Sequence, residues 1–277
     1  MKADVKRKIL FVLFVAALLL MLALELFRET IINYGEHGHN LYLIATRALG
    51  GIACIFLVLL SRAKKILSSK PTLVATLAVL PCMLIAINNF PFITFFSGRA
   101  YIDGSATSVV LYAFVCVFIG LFEEMAFRGC VFTAVLGRKG NRAVDVFWSI
   151  VISSAVFALV HLLNLFAGAG IGSVILQVGY SFLIGGMCSV VLVKTKNIWY
   201  CVILHAVYNF AGGVVPECGG GEIWDTPTII LTAVVAVLVA VYVIFMLVKI
   251  KPCEVDALLN DTKPCEYNNS GNTAEVK

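Results

Sequence analysis

Glu123, Glu124 and Arg128 stand together in the stretch GLFEEMAFRG, directly after the apolar run SVVLYAFVCVFI. Two later hydrophobic runs carry FALVH, ending at His161, and HAVYN, from His205 to Asn209. These residue types can do hydrolytic chemistry. A carboxylate in a low-dielectric site tends to a raised pKa and suits a general base near neutrality. Imidazole and amide groups can polarise a carbonyl or hold an oxyanion. On a helix, residues four apart share a face, and adjacent ones diverge by about 100°. Glu124 and Arg128 therefore form a facing pair, with the acid N-terminal to the base, which is the favoured order. Glu123 shares its face with Phe127 and has no partner along the helix. His205 and Asn209 point the same way, and Phe157 lies one turn before His161. Each group alone also has a structural reading, as an ion pair or hydrogen bond that joins helices. That reading leaves the second glutamate unexplained. One shared polar cavity would satisfy all of them.

The elements that must position these groups are apolar. The chain has 277 residues, 61% hydrophobic and 13% charged, with a mean hydropathy of +0.98. Soluble domains run nearer half apolar and about a quarter charged. The excess lies in runs of about 18 residues or more, the length of a membrane-crossing helix. Backbone polar groups in lipid must be satisfied internally, so the expected fold is an all-α polytopic membrane protein. We place about eight transmembrane helices, at roughly 8–27, 41–61, 71–90, 106–136, 143–165, 173–193, 198–214 and 228–249. The fourth is too long for a bilayer, and its end, GCVFTAVLGRKG, is expected in the interface. The first starts with basic residues but is followed by no small-residue cleavage site, so it is kept as a helix. Residues 1–251 form one helical domain with its motif-bearing core at about 106–214. Residues 252–277 are expected to be a polar, disordered tail.

Basic residues alternate between loops. MKADVKRK, SRAKKILSSK, GRKGNR, KTK and KIKP fall on one side, and the acidic PECGGGEIWD on the other. By the positive-inside rule both termini are expected in the cytoplasm. The net charge of +5 belongs to these loops and calls for no nucleic-acid partner. Nine cysteines occur without a Cys-x-x-Cys pair, so neither a disulfide framework nor a zinc cluster follows from their spacing. Cys54, Cys82, Cys116, Cys130, Cys188 and Cys201 read as small apolar residues of the spans. His37 and His39 in GEHGHN read as incidental loop residues. The spans also pose a question of depth. Counted from their cytoplasmic ends, His205, Glu123 and His161 differ by roughly 16 Å along the membrane normal. A start of the fifth span at Trp148, with RAVDVF along the membrane surface, would remove much of that spread.

The three motifs resemble those of the CPBP family (CAAX protease and bacteriocin-processing), intramembrane endopeptidases related to the eukaryotic CAAX-prenyl protease. That family's pattern is Glu-Glu-x-x-x-Arg, then Phe-x-x-x-His, then His-x-x-x-Asn or Asp. Here it reads EEMAFR, FALVH and HAVYN, in order, on successive hydrophobic segments. The resemblance implies that Glu123 activates the attacking water with help from His161, and that Glu124, held by Arg128, supports the site. It implies that His205 and Asn209 stabilise the tetrahedral oxyanion, with Phe157 in support. It implies no cofactor under a glutamate mechanism. The alternative is Zn2+ bound by Glu123 or Glu124, His161 and His205, although the helical zinc signature His-Glu-x-x-His is missing. The implied partners are membrane lipid and a membrane-associated protein or peptide substrate, lipidated ones included, at the cell membrane.

Two other classes remain open on sequence. A non-catalytic scaffold or bacteriocin-immunity protein would keep the same motifs. A proton-coupled transporter would use intramembrane Glu, Arg and His as a relay, with AGAGIGS and LIGGM as breaks in discontinuous helices.

Overall fold

The computed structural model describes residues 3–26 and 37–259. The end of the first expected span and the end of the tail lie outside the described residues. The chain forms helices α1 (Ala3–Leu26), α2 (Gly38–Leu60), α3 (Leu73–Leu77), α4 (Leu80–Asn88) and α5 (Phe92–Phe96). A short strand β1 (Ala100–Ile102) leads into α6 (Ala106–Glu124). A π-helical segment, Met125–Phe132, continues α6 directly into α7 (Thr133–Lys139). Then come α8 (Ala143–Val160), α9 (Ile171–Thr195), α10 (Trp199–Cys218), β2 (Gly219–Gly221), α11 (Thr226–Val248) and α12 (Pro252–Leu259). Seven helices among the described residues are long and apolar enough to cross a membrane. The protein is an all-α integral membrane protein.

The third expected span differs. Residues 73–88 form two short helices, α3 and α4, rather than one. Pro81 sits in the first turn of α4, where its missing N–H costs nothing, but in a continuous helix it would break the ladder. The stretch Leu73–Asn88 would rise about 24 Å at 1.5 Å per residue, short of the roughly 30 Å hydrocarbon core.

The fourth span is long, as expected, running from Ala106 to Lys139 through three segments. LIGGM lies inside the unbroken α9, and AGAGIGS lies largely in the connection before it, so neither forms a discontinuous helix. RAVDVF does not lie apart: from Ala143 onward it is the first turn of α8. The tail also departs from expectation at its start. Pro252–Leu259 is helical, buries Val255 and Leu258, and is tied down by Lys194 Nζ on Glu254 Oε2 (2.9 Å) and Asn141 Nδ2 on Asp256 Oδ2 (3.0 Å).

Local signals set the ends. Ser105 Oγ accepts from Ser108 N (3.1 Å) at the start of α6, and Asp225 Oδ1 accepts from Thr228 N (2.9 Å) at the start of α11. α9 stops at Lys196, whose φ of 56° is left-handed and turns the chain into α10. α6 packs between α2 and α10, while α8 packs on α9. Antiparallel pairing of β1 with β2, Ala100 opposite Gly221 and Ile102 opposite Gly219, joins the start of α6 to the end of α10.

Candidate active site

The acidic motif sits where α6 gives way to the π-helix. Glu124 is the last α-helical residue, and Arg128 lies within the widened turn. π-turns are rare and frequently occur at functional sites. Arg128 Nη1 is 3.1 Å from Glu124 Oε1, and the two side chains are 1% and 0% exposed. The pair anticipated from spacing is therefore formed and fully buried. Ser153 Oγ on α8 donates to Phe127 O (3.2 Å), tying a carbonyl of the widened turn to the neighbouring helix.

α10 brings His205 to both acids. Its Nδ1 donates to Glu124 Oε1 at 2.7 Å, and its Nε2 lies 3.3 Å from Glu123 Oε2. The approach depends on Gly120. A Cβ there would meet Val202 O at 3.0 Å and Ala206 N at 3.2 Å, both backbone atoms of α10. Glu123 is the more open acid, its side chain 20% exposed against 0% for Glu124.

Phe157 is the hub of the aromatic packing. Its ring lies 4.4 Å beneath the Arg128 guanidinium, 4.8 Å from the Phe127 ring, 5.0 Å from His161 and 5.9 Å from His205. A desolvated cation over an aromatic face is favourable. On the far side Gly185 leaves room for Arg128, since a Cβ there would meet Nη2 at 2.9 Å.

His161 opens a 3-10 turn, His161–Leu165, just past the end of α8. Its Nδ1 donates to Phe157 O (3.0 Å), which leaves Nε2 free to accept. Asn164 Nδ2 donates to Gln177 Oε1 (2.7 Å) and ties this turn to α9. The neighbour of Glu123 is thus His205, while His161 shares the Phe157 ring with it. Asn209 is half-buried one turn beyond His205, and its backbone carbonyl accepts from Tyr112 Oη (3.4 Å). An apolar groove of about 370 Å³, lined by Ile87, Val117, Ala206 and Phe210 among others, contains none of these polar residues.

The donor set anticipated for zinc does not converge. Among the described residues, the one group of three whose ligand atoms lie within 4.8 Å of one another is Glu124, Cys188 and Cys201. His161 and His205 do not meet a glutamate together within that spacing. The two cysteines escaped the sequence reading because they are 13 positions apart and flank a turn, not a Cys-x-x-Cys.

Comparison with known proteins agrees with the motifs. Residues 105–211 match the model of the Rce1-like family, described as type II CAAX prenyl endopeptidase Rce1-like. The match supports a place in the CPBP/CAAX-protease family, and every motif residue above falls inside it. No curated protein and no solved structure gives a match. The match supports an intramembrane protease acting on a protein or peptide in a lipid environment.

Proposed function

We propose that the protein is a glutamate-dependent intramembrane endopeptidase, with Glu123 as its base. The observation that carries this reading is the His205 ring held between two carboxylates of unlike surroundings. Glu124 is sealed in, and its Oε1 faces both Arg128 and His205. It is a fixed counter-charge. Glu123 is partly open and has acceptor capacity to spare. Environments that set two carboxylates apart assign them different roles.

In the proposed reaction, Glu123 takes a proton from water as the water oxygen bonds to the scissile carbonyl carbon. The carbonyl oxygen becomes an oxyanion, held by donors from His205 and Asn209. The protonated Glu123 then delivers its proton to the leaving nitrogen, and the C–N bond breaks. Glu124 and Arg128 orient His205, and His161 supplies a second nitrogen toward the water. The cell membrane is the proposed location.

The test compares peptides released from membranes holding the intact protein or a Glu123→Gln form, with and without chelator. Loss of specific peptides in Glu123→Gln, unaffected by chelator, is expected. Identical profiles in the two would favour the scaffold, and chelator-sensitive cleavage would favour a metal.

A further inference from the structure

Behind His205 and Glu124, away from the reacting groups, two thiols converge on the buried acid. We infer that Cys188, Cys201 and Glu124 form a binding site for a soft divalent cation such as Zn2+ or Cd2+, whose occupation inhibits the enzyme. Cys188 comes from α9, Cys201 from α10 and Glu124 from α6, so three helices each supply one ligand. Their ligand atoms lie within 4.8 Å of one another. Bond lengths of about 2.3 Å to sulfur and 2.0–2.2 Å to oxygen require ligand atoms about 3.3–3.8 Å apart. On binding, the set would close to that spacing by side-chain rotation.

A second observation points to a ligand. Glu124 Oε2 is buried, with no hydrogen-bond partner among the described residues, and so are Nε and Nη2 of Arg128 beside it. Cysteines acting only as small core residues do not account for an orphaned carboxylate oxygen. Charge also closes. A divalent ion with two thiolates and one carboxylate carries a net −1, and Arg128 stands 3.1 Å from that carboxylate. A fourth ligand is at hand in His205 Nδ1, 2.7 Å from Glu124 Oε1 and one turn along α10 from Cys201. Binding forms two metal–sulfur bonds and releases both thiol protons to solvent. It draws Glu124, and His205 with it, away from Glu123.

Binding stands on the cysteines alone; inhibition rests on the proposed protease activity. The purified protein is therefore titrated with Cd2+, reading the ultraviolet thiolate-to-metal charge-transfer band, and peptide release is assayed separately. The wild type is expected to show one more thiolate-bound Cd2+ per chain than Cys188→Ala/Cys201→Ala. That variant should keep basal cleavage and lose at least tenfold in sensitivity to the ion. The single variants Cys188→Ala and Cys201→Ala, each with two ligands left, should weaken binding if the double variant fails to fold. Equal band intensity and affinity in wild type and variants would overturn the site. Binding without inhibition would overturn only the coupling, and absent cleavage in metal-free wild type would count against the protease reading instead.

Discussion

Glu124 and Glu123 differ in what their removal should do. Arg128→Ala leaves Glu124 buried with His205 as its remaining ion-pair partner and empties the space over Phe157. Breaking a buried ion pair costs about 3–5 kcal/mol. Because His205 remains, the loss should sit near the lower end, about 3 kcal/mol, read as a lowered unfolding midpoint in detergent. Glu123→Gln keeps a polar group 20% exposed and should leave that midpoint in place. Its cleavage rate should fall by about 10²–10⁴-fold, the usual worth of a general base. Equal destabilisation by both variants would mean that the two acids share one structural role. This division was legible in the sequence because it rests on spacing within one helix. The contact of His205 with both acids was not, since it depends on how two helices cross.

Helix crossing is where Gly120 acts. Its missing Cβ lets α10 approach α6 backbone to backbone. Gly120→Ala should push the helices apart by a few tenths of an ångström and lengthen both His205 contacts. Cleavage should drop at least tenfold while the chain stays helical by circular dichroism; unchanged activity would show that the crossing has slack. The same dependence explains what patterning missed. The π-turn keeps the apolar character of an α-helix, so no period marks it. The break between α3 and α4 was signalled only by Pro81. At the other end of the bundle, Asp225 caps α11 and binds Arg99 Nη2 (2.5 Å), which also holds Glu222 (2.9 Å). Hydrogen bonding from Thr228 first, against the cost of burial, and then Arg99 hold the Asp225 carboxyl down to about 2. A depressed carboxyl stabilises the fold above its unfolded pKa of about 3.9 and loses that as pH falls through its folded value. The difference in unfolding midpoint between wild type and Asp225→Asn should be full above about pH 5, shrink through about pH 2 and vanish near about pH 1. A difference that persists undiminished to about pH 1 would show that the cap acts through shape, not charge.

Across the bundle, the helix ends set the depth of the site. Counting from helix ends spread His205, Glu123 and His161 over roughly 16 Å, yet His205 touches both acids. The error lies in the ends. The helix carrying Glu123 continues to Lys139, well past the level at which α10 begins at Trp199. His205 is six residues from that start, about 9 Å, and thirteen from Cys218 at the other end of α10. The near end is basic, with Lys64, Lys65, Arg138, Lys139 and Lys194 in or beside its turns. The far end carries Glu222 and Asp225. The positive-inside rule predicts that the near end, and with it the route to Glu123, faces the cytoplasm. An impermeant thiol reagent should then label Lys65→Cys in inside-out vesicles and Glu222→Cys in right-side-out ones, above the parent protein. Water-soluble substrate peptides should be cut by inside-out vesicles alone. Cleavage confined to right-side-out vesicles would invert the orientation. Labelling as expected with cleavage from both faces would show that the substrate enters along the membrane plane and not from the nearer surface.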